Sequence, residues 1–351
     1  MLGNTANRLW GKTHPTMRRP TSFDIAALAG VSQPTVSRAL SGGASVSEAT
    51  RRRVLDAAAE LNYSVDKNAS NLRRQASKTL ALLFFEDPTP DDSLINPFYL
   101  SMLGSITRAC ATRGYDLLTS FQQLSGNWHT DYEDSRKADG IILLGYGDYL
   151  LYRPRLEQLI DQGTHFVRWG SAGQLGTTIG SANAQGGGDA VRHLLAQGRR
   201  RIAFLGTASP QYPEFHDRWR GYAAALGDAG ISADPCLQAD AISTEEAGHA
   251  ATARLLADGI AFDAIFAASD LIAIGAMRAL AEAGRQVPRA VAIVGFDDLP
   301  AATLASPPLT TVAQDPRRAG RELVETLLRS VAGESVANVM LPVRLVVRGS
   351  S

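Results

Sequence analysis

Gln33, Thr35, Ser37 and Arg38 bring an amide, two hydroxyls and a guanidinium onto the outward face of one short helical stretch. Such side chains hydrogen-bond to base edges and phosphates. The surrounding residues build the frame that would present them. Thr21 N-caps a first helix, with Asp24 three residues on as the acid of a capping box. Ile25, Leu28 and Ala29 recur at helical spacing and predict an inward stripe. Gly30 permits a sharp turn that a side chain would obstruct. Ser32 then caps a second helix, Pro34 sits in its first turn where a missing N–H costs little, and Val36 and Leu40 point inward. Two helices joined this way predict a second helix built to enter the DNA major groove.

A third helix is expected from a Ser47 cap to about Leu61, burying Val54, Leu55, Ala58 and Leu61, with Arg51, Arg52 and Arg53 near the outer surface. The run from Asp66 to Arg74 is short and polar, with Leu72 as its one large apolar residue. It buries too little to fold alone and reads as a linker. Residues 1–17 read as a flexible tail without the apolar segment of a secretion signal, and Met17, just before Arg18-Arg19-Pro20, is a candidate start.

The chain's zero net charge hides a division. Residues 1–78 hold 12 Lys+Arg against 5 Asp+Glu, a balance of +7, and the remainder holds 23 against 30, a balance of −7. A basic head suits phosphate neutralisation while an acidic body stays off the polyanion. The two cysteines, Cys110 and Cys236, make no disulfide framework and show no metal spacing, and Cys110 reads as a small buried apolar residue. The six histidines are scattered without metal spacing, no serine sits in a nucleophile elbow, and no apolar run reaches the length of a membrane span. Neither a catalytic residue nor a cofactor is called for. Gly186-Gly187-Gly188 lacks the residues of a phosphate loop and reads as a helix start packed close to a neighbour.

From Thr79 onward, apolar strands alternate with helical patterns. Strands are expected at Leu80–Phe85, Tyr115–Ser120, Gly140–Leu144, Phe166–Trp169, Arg201–Leu205, Ala264–Ala267 and Val291–Phe296. Helices are expected at Phe98–Thr112, Arg155–Gln162, Gly187–Gln197, Arg218–Ala229, Thr244–Asp258 and Leu271–Glu282. This alternation predicts parallel sheets covered by helices on both faces, and so many units predict two sheets.

The chain resembles the lactose-repressor (LacI/GalR) family of bacterial transcription regulators. The resemblance is carried by Asp24-Ile25-Ala26, Ala29-Gly30-Val31-Ser32, Thr35-Val36-Ser37-Arg38, Val46-Ser47, Thr50-Arg51, Val54-Leu55 and Glu60-Leu61-Asn62-Tyr63, and continues without large gaps to about residue 348. It implies an α/β protein with an N-terminal three-helix helix-turn-helix headpiece and a two-lobed periplasmic-binding-protein-like α/β/α effector domain. The implied divisions are a headpiece at 18–65, a hinge at 66–77 and an effector-binding and dimerisation domain at 78–351. Its first lobe would take about 78–181 and 315–341, and its second about 182–314 and 342–351. The implied DNA contacts are Thr21, Ser32, Gln33, Pro34, Thr35, Ser37, Arg38, Ser45, Ser47, Thr50, Tyr63, Ala69 and Leu72. Leu72 matches the leucine that wedges between base pairs in the minor groove; its other reading is packing against the headpiece. Val65 and Asp66 depart from a common proline and asparagine, and an acid there is unhelpful beside phosphates.

The implied effector contacts are Phe98, Tyr99, Arg168, Arg218, Ser269 and Asp297. Arg218 offers a planar fork of donors to hydroxyls or an anion, or else a surface salt bridge. Asp297 stands at a strand end where a carboxylate accepts from vicinal hydroxyls, while the Asp297-Asp298 pair could also cap a turn. Phe98 or Tyr99 would stack on a ring or pack in the core. Arg168 replaces a frequent aspartate, and it either retunes the ligand or pairs internally with Asp297. Ser181-Ala182-Asn183 keeps the asparagine of a common motif but not its acid. Most proteins of this layout bind sugars and a minority bind purines, so the expected effector is a mono- or oligosaccharide. The implied protein is a cytoplasmic homodimer that represses transcription from a palindromic operator, under effector control. A periplasmic-type sugar-binding protein without a DNA role is the alternative, and an enzyme would need motifs that the sequence lacks.

Overall fold

The computed structural model describes residues 20–40, 45–61, 63, 76–86, 95–121 and 127–351. The chain divides into two compact units, Met1–Gln75 and Ala76–Ser351.

Three helices form the described part of the first unit: α1 (Ser22–Ala29), α2 (Gln33–Leu40) and α3 (Glu48–Glu60). The Thr21 amide and hydroxyl both donate to Asp24 Oδ2, at 2.6 and 2.7 Å, closing the expected capping contact. Gly30 ends α1 in the left-handed region, with φ +63°. The Ser47 hydroxyl starts α3 by accepting from the Thr50 amide at 3.3 Å. Ile25, Val36 and Val54 are fully buried, and Ala29, Ala39, Ala57 and Ala58 close the core around them. Two expectations fail here. Leu28 is 47% exposed and Leu55 is 49% exposed. Alanines at the contacts bring the helices so close that only a narrow stripe of each is buried. A leucine one position from that stripe then stays in solvent.

The second unit begins with five parallel strands: β1 (Thr79–Glu86), β2 (Asp116–Phe121), β3 (Ile141–Tyr146), β4 (Phe166–Trp169) and β5 (Thr177–Ser181). The chain then crosses into a second sheet of β6 (Ile202–Leu205), β7 (Gln238–Ala239), β8 (Ala264–Ala267), β9 (Ala292–Asp297) and β10 (Thr310–Ala313). It returns to the first sheet for β11 (Val339–Leu341) and crosses a last time into β12 (Arg344–Val346). The sheet orders are β11-β5-β4-β3-β1-β2 and β12-β10-β9-β8-β6-β7. Among the described residues, only β12 runs antiparallel, against β10. The central strands are buried on both faces, which is why they read in the sequence as aliphatic runs. The strands that the pattern missed, β5, β7, β10, β11 and β12, are two to five residues long, and β5 and β10 are rich in Thr.

The covering helices are α4 (Pro97–Thr112), α5 (Tyr149–Asp161), α6 (Asn183–Ala196), α7 (Pro213–Asp228), α8 (Glu245–Ala257), α9 (Asp270–Glu282), α10 (Pro300–Leu304) and α11 (Pro316–Val331). The pattern missed α10 and α11, and α5, α6 and α7 begin earlier than it placed them: α6 and α7 open on polar, Gly or Pro residues, and Pro154 interrupts α5 just before the expected start. Cys110 on α4 is buried, and burial pushes its thiol up to about 11. Cys236 is exposed in the short turn Pro235–Leu237.

The glycine run opening α6 packs as the sequence suggested. A Cβ at Gly187 would stand 2.2 Å from the Arg218 carbonyl oxygen, and one at Gly221 on α7 would stand 1.9 Å from that of Ala184. These helices touch through backbone, so no side chain fits between them. Gly227, six residues further along α7, faces open space at an ordinary helical φ. Gly221→Ala should therefore cost about 1–3 kcal/mol by overpacking. Gly227→Ala on the same helix should stabilise by about 0.5–1 kcal/mol through lost unfolded-state entropy. Urea unfolding of the two variants checks the opposite signs.

Candidate effector cleft and nucleic-acid face

The cleft is assembled at the C-terminal ends of strands, where open parallel sheets place their ligands. β4 ends on Trp169, β9 ends on Asp297, and Ser269 follows β8 as the N-cap of α9. Asn96 caps α4 by accepting from the Phe98 amide at 2.9 Å, which sets Phe98 and Tyr99 at the cleft wall. Pro213 starts α7, which carries Glu214, Phe215 and Arg218 into the same space. Ser243 completes the lining of this space.

Arg218 organises the floor. It is 5% exposed. Its Nε donates to Asn183 Oδ1 at 2.9 Å and its Nη1 donates to the Ala268 carbonyl. The guanidinium carbon lies 3.8 Å from the centre of the Phe296 ring. Nη1 also stands 3.7 Å from Asp297 Oδ1, and that oxygen accepts from Gln314 Nε2 at 2.7 Å. Asp297 holds φ +124°, a region that side chains other than glycine rarely adopt. Such strain persists only where the surroundings enforce it, and it collects at functional positions. Burial lowers the Arg218 pKa, and the carboxylates of Asp297 and Glu214 oppose that shift. Burial also raises Asp297 to about 6, against the pull of Arg218 and Gln314. Behind it, Asp270 accepts from the Leu299 amide at 2.7 Å and from the Thr311 hydroxyl, and burial together with the Asp297 charge raises its pKa.

Three hydrogen bonds tie residues of the first sheet's side to the second's. Asn96 Nδ2 donates to Ser243 Oγ at 3.2 Å, the Ser171 amide donates to Glu214 Oε1 at 3.1 Å, and the Tyr149 amide donates to the Gln211 carbonyl at 2.8 Å. Ser243 Oγ passes the first link on to Ser269 Oγ at 2.9 Å.

Of the six residues expected at the effector site, Phe98, Tyr99, Arg218, Ser269 and Asp297 line this space. Arg168 does not. It is buried, its Nη1 donates to Gln174 Oε1, and its guanidinium lies 5.6 Å from the Tyr149 ring centre. The internal pair with Asp297 is not formed, because the cation facing that carboxylate is Arg218. The surface salt bridge considered for Arg218 is excluded by its burial. Asp298 is held by Arg348 Nη2 at 2.6 Å. Trp169, Glu214, Phe215 and Ser243 also line the cleft, and sequence reasoning missed them. Glu214 stands one helical turn before Arg218, which is the signal that could have found it. Ser243 carries no comparable signal.

On α2, Ser32, Pro34 and Arg38 are exposed, while Gln33, Thr35 and Ser37 are half-buried. Gln33 Nε2 donates to Ser22 Oγ at 3.3 Å, and Arg38 Nε donates to the Pro34 carbonyl at 3.2 Å. Ser45 and Ser47 are exposed, and Thr21, Thr50 and Tyr63 are half-buried. Ala69, Leu72 and the rest of 64–75 lie outside the described residues. Among the described residues, no cluster of His, Cys, Asp and Glu could hold a metal, and no helix is long and apolar enough to cross a membrane.

A helix-turn-helix unit joined to a two-sheet binding unit with a polar, aromatic-walled cleft defines a ligand-responsive DNA-binding regulator. Known proteins agree. Residues 23–66 match the bacterial regulatory proteins of the lacI family, and residues 191–351 match the periplasmic binding protein-like domain. The chain is 36% identical to the HTH-type transcriptional regulator CelR of Thermobifida fusca, over 94% of this chain and 96% of that protein. It is 32% identical to the HTH-type transcriptional repressor CytR of Escherichia coli K12, over 94% and 96%. A solved CelR–cellobiose complex superposes with a TM-score of 0.71 at 33% identity, covering 95% of this chain and 100% of that one. The Lac repressor dimer bound to operator and the anti-inducer ONPF gives 0.82 at 27%, covering 95% and 99%. The chain belongs to the LacI family of bacterial regulatory proteins. It is a DNA-binding transcription regulator and not an enzyme.

The Asp297 shift has a sign that can be measured. Its pKa is raised from 3.8 to about 6, so the fold disfavours the ionised form. The neutral acid's contribution to stability is present below about pH 4 and is lost as pH rises through about 6. Asp297→Asn stays neutral throughout. Relative to the parent chain it should gain about 2 kcal/mol between pH 4 and pH 7. Urea unfolding of both proteins at intervals across that range checks the sign, and a pH-independent difference would contradict the shift.

Proposed function

We propose that this regulator is a repressor whose grip on operator DNA is set by a neutral saccharide bound between the lobes. The carrying observation is the pairing of a polar floor, Arg218, Asp297 and Ser269, with four aromatic walls, Phe98, Tyr99, Trp169 and Phe215. Sugar hydroxyls donate to carboxylates and accept from guanidinium N–H groups, while the apolar faces of a sugar ring pack on aromatic rings. Glu214 and Asp297 each face a guanidinium, those of Arg168 and Arg218, so neither of these cations stands unmatched for a phosphorylated or acidic sugar. CelR, a relative that matches nearly the whole chain, was solved with cellobiose, which makes cellobiose the first probe.

Two copies would read a palindrome with paired α2 helices, with Ser32, Gln33, Pro34, Thr35, Ser37 and Arg38 set against the major groove. A dimer bound to operator is the arrangement of the Lac repressor structure. The headpiece at 18–65, the hinge at 66–77 with Ala69 and Leu72 on the DNA, and the two lobes of 78–351 complete the reading. A regulator of this kind works beside the chromosome, in the cytoplasm. Ligand binding shifts the balance between lobe arrangements, and its differential affinity for them is the coupling free energy.

A thermal-shift panel of cellobiose, ribose, glucose 6-phosphate and nucleosides tests the ligand class. Stabilisation by a neutral saccharide supports it, and stabilisation by a nucleoside alone overturns it. Arg218→Ala should weaken the saccharide by roughly 10- to 100-fold, as loss of a charged hydrogen-bonding partner implies, while leaving DNA binding intact. Calorimetry and a mobility shift read the two arms. Arg38→Ala should cost about 1–3 kcal/mol in specific binding and relax preference at one base pair. A selection from randomised duplex, run with both proteins, would expose an unchanged preference and so discard the assigned face.

A further inference from the structure

The second unit takes hold of the chain before its first strand begins. The Ser77 amide donates to Asp139 Oδ1 at 2.5 Å and the Lys78 amide donates to Asp139 Oδ2 at 3.0 Å. One carboxylate therefore holds two successive backbone N–H groups. Asp139 sits just before β3, and its own amide donates to the Thr79 carbonyl at 2.8 Å. On the other side, the Lys78 carbonyl accepts from the Asp116 amide at 2.8 Å, at the start of β2. Residues 77–79 are thus fixed from both neighbours of β1.

Lys78 adds a second restraint. It holds φ +55°, a conformation that a non-glycine residue adopts only when its surroundings enforce it. Its ammonium lies 4.4 Å from the centre of the Tyr115 ring and donates to the Tyr115 hydroxyl at 3.3 Å. The left-handed residue turns the chain at the point where the carboxylate grips it. β1, β2 and β3 are hydrogen-bonded in register, so the grip belongs to the rigid first sheet. The opposite, C-terminal end of that sheet carries Trp169 into the cleft.

We propose that Asp139 is a positioning residue for regulation: it clamps residues 77–78, so that movement of the first lobe is passed to the segment leading to the DNA-binding unit. Without the clamp, the Ser77 and Lys78 amides lose their shared acceptor and the turn at the start of β1 loosens. The first lobe then moves without moving what precedes it. The acid matters for its two acceptor oxygens. An amide at this position keeps one acceptor and turns an N–H against a backbone N–H. The inference rests on the ligand-controlled reading above, so the test separates the two.

Full-length parent, Asp139→Asn and Asp139→Glu are compared, with the exposed Asp228→Asn as a charge-loss control. Amide hydrogen exchange of the Ser77 and Lys78 amides reads the clamp directly. Protection should fall about tenfold or more in Asp139→Asn, with the interior of β1 unchanged. Unchanged protection at 77–78 overturns the clamp whatever the ligand does. Affinity for a duplex selected by the parent chain is then measured with and without cellobiose, and cellobiose affinity is measured by calorimetry. The ratio of the two DNA affinities should collapse towards one in Asp139→Asn, at least fivefold, and recover in part in Asp139→Glu. Cellobiose affinity should stay within twofold of the parent, which a general loss of structure would not allow. A full ratio in Asp139→Asn overturns the positioning role. A parent chain that ignores cellobiose instead counts against the saccharide reading, and the exchange measurement still decides the clamp.

Discussion

A buried ion pair between Arg218 and Asp297 sets the terms for the rest of the second unit. Removing both groups from water is costly, and their mutual attraction repays it only with good supporting hydrogen bonds. Each support comes from a different part of the fold. Asn183 opens α6, Ala268 follows β8, Phe296 is on β9, and Gln314 lies where the chain leaves β10 for the first lobe. The pair thus ties one crossing between the lobes to the helix that carries Arg218. A ligand that engages either member competes with these bonds and feels the position of the crossing. Binding chemistry and lobe geometry meet at one point.

The backbone contacts of α6 with α7, and of α8 with α9, serve the same end. A Cβ at Gly248 would stand 2.2 Å from the Ile272 carbonyl, and one at Gly275 would stand 2.0 Å from that of Glu245. Helices that meet through their backbones have little freedom to slide. The second lobe therefore moves as a body, and the adjustable bonds are those between lobes, at Asn96, Ser171 and Tyr149. The first lobe is likewise built on one hydrogen-bonded sheet, from Trp169 at the cleft to Asp139 at the chain's entry.

How much was legible in the sequence depended on whether the information was local. The caps of α1 and α3 were readable, because Thr21 with Asp24 and Ser47 with Thr50 act within one turn. The aliphatic strands were readable because burial on both faces leaves little room for polar residues. Short strands such as β10 were not, since Thr-Thr-Val-Ala becomes a strand only by pairing with β9 and β12. Arg218, Ser269 and Asp297 were placed through the family resemblance, as positions rather than as a connected network. Arg168 shows the limit of that route. Residue type and position suggested a partner in Asp297, but the folded chain gave that acid to Arg218. Leu28 and Leu55 show another limit, because an apolar side chain does not announce that alanines nearby have already closed the core.

The two cysteines have a practical side. The thiol of Cys110 is shut inside the first lobe and held protonated well above neutral pH, so it is a poor nucleophile as well as an inaccessible one. Cys236 stands in the open on the other lobe. The native chain therefore offers a single addressable thiol, in a turn seven residues before the cleft residue Ser243. A maleimide dye would attach there without any engineering and would leave the partner lobe unmarked.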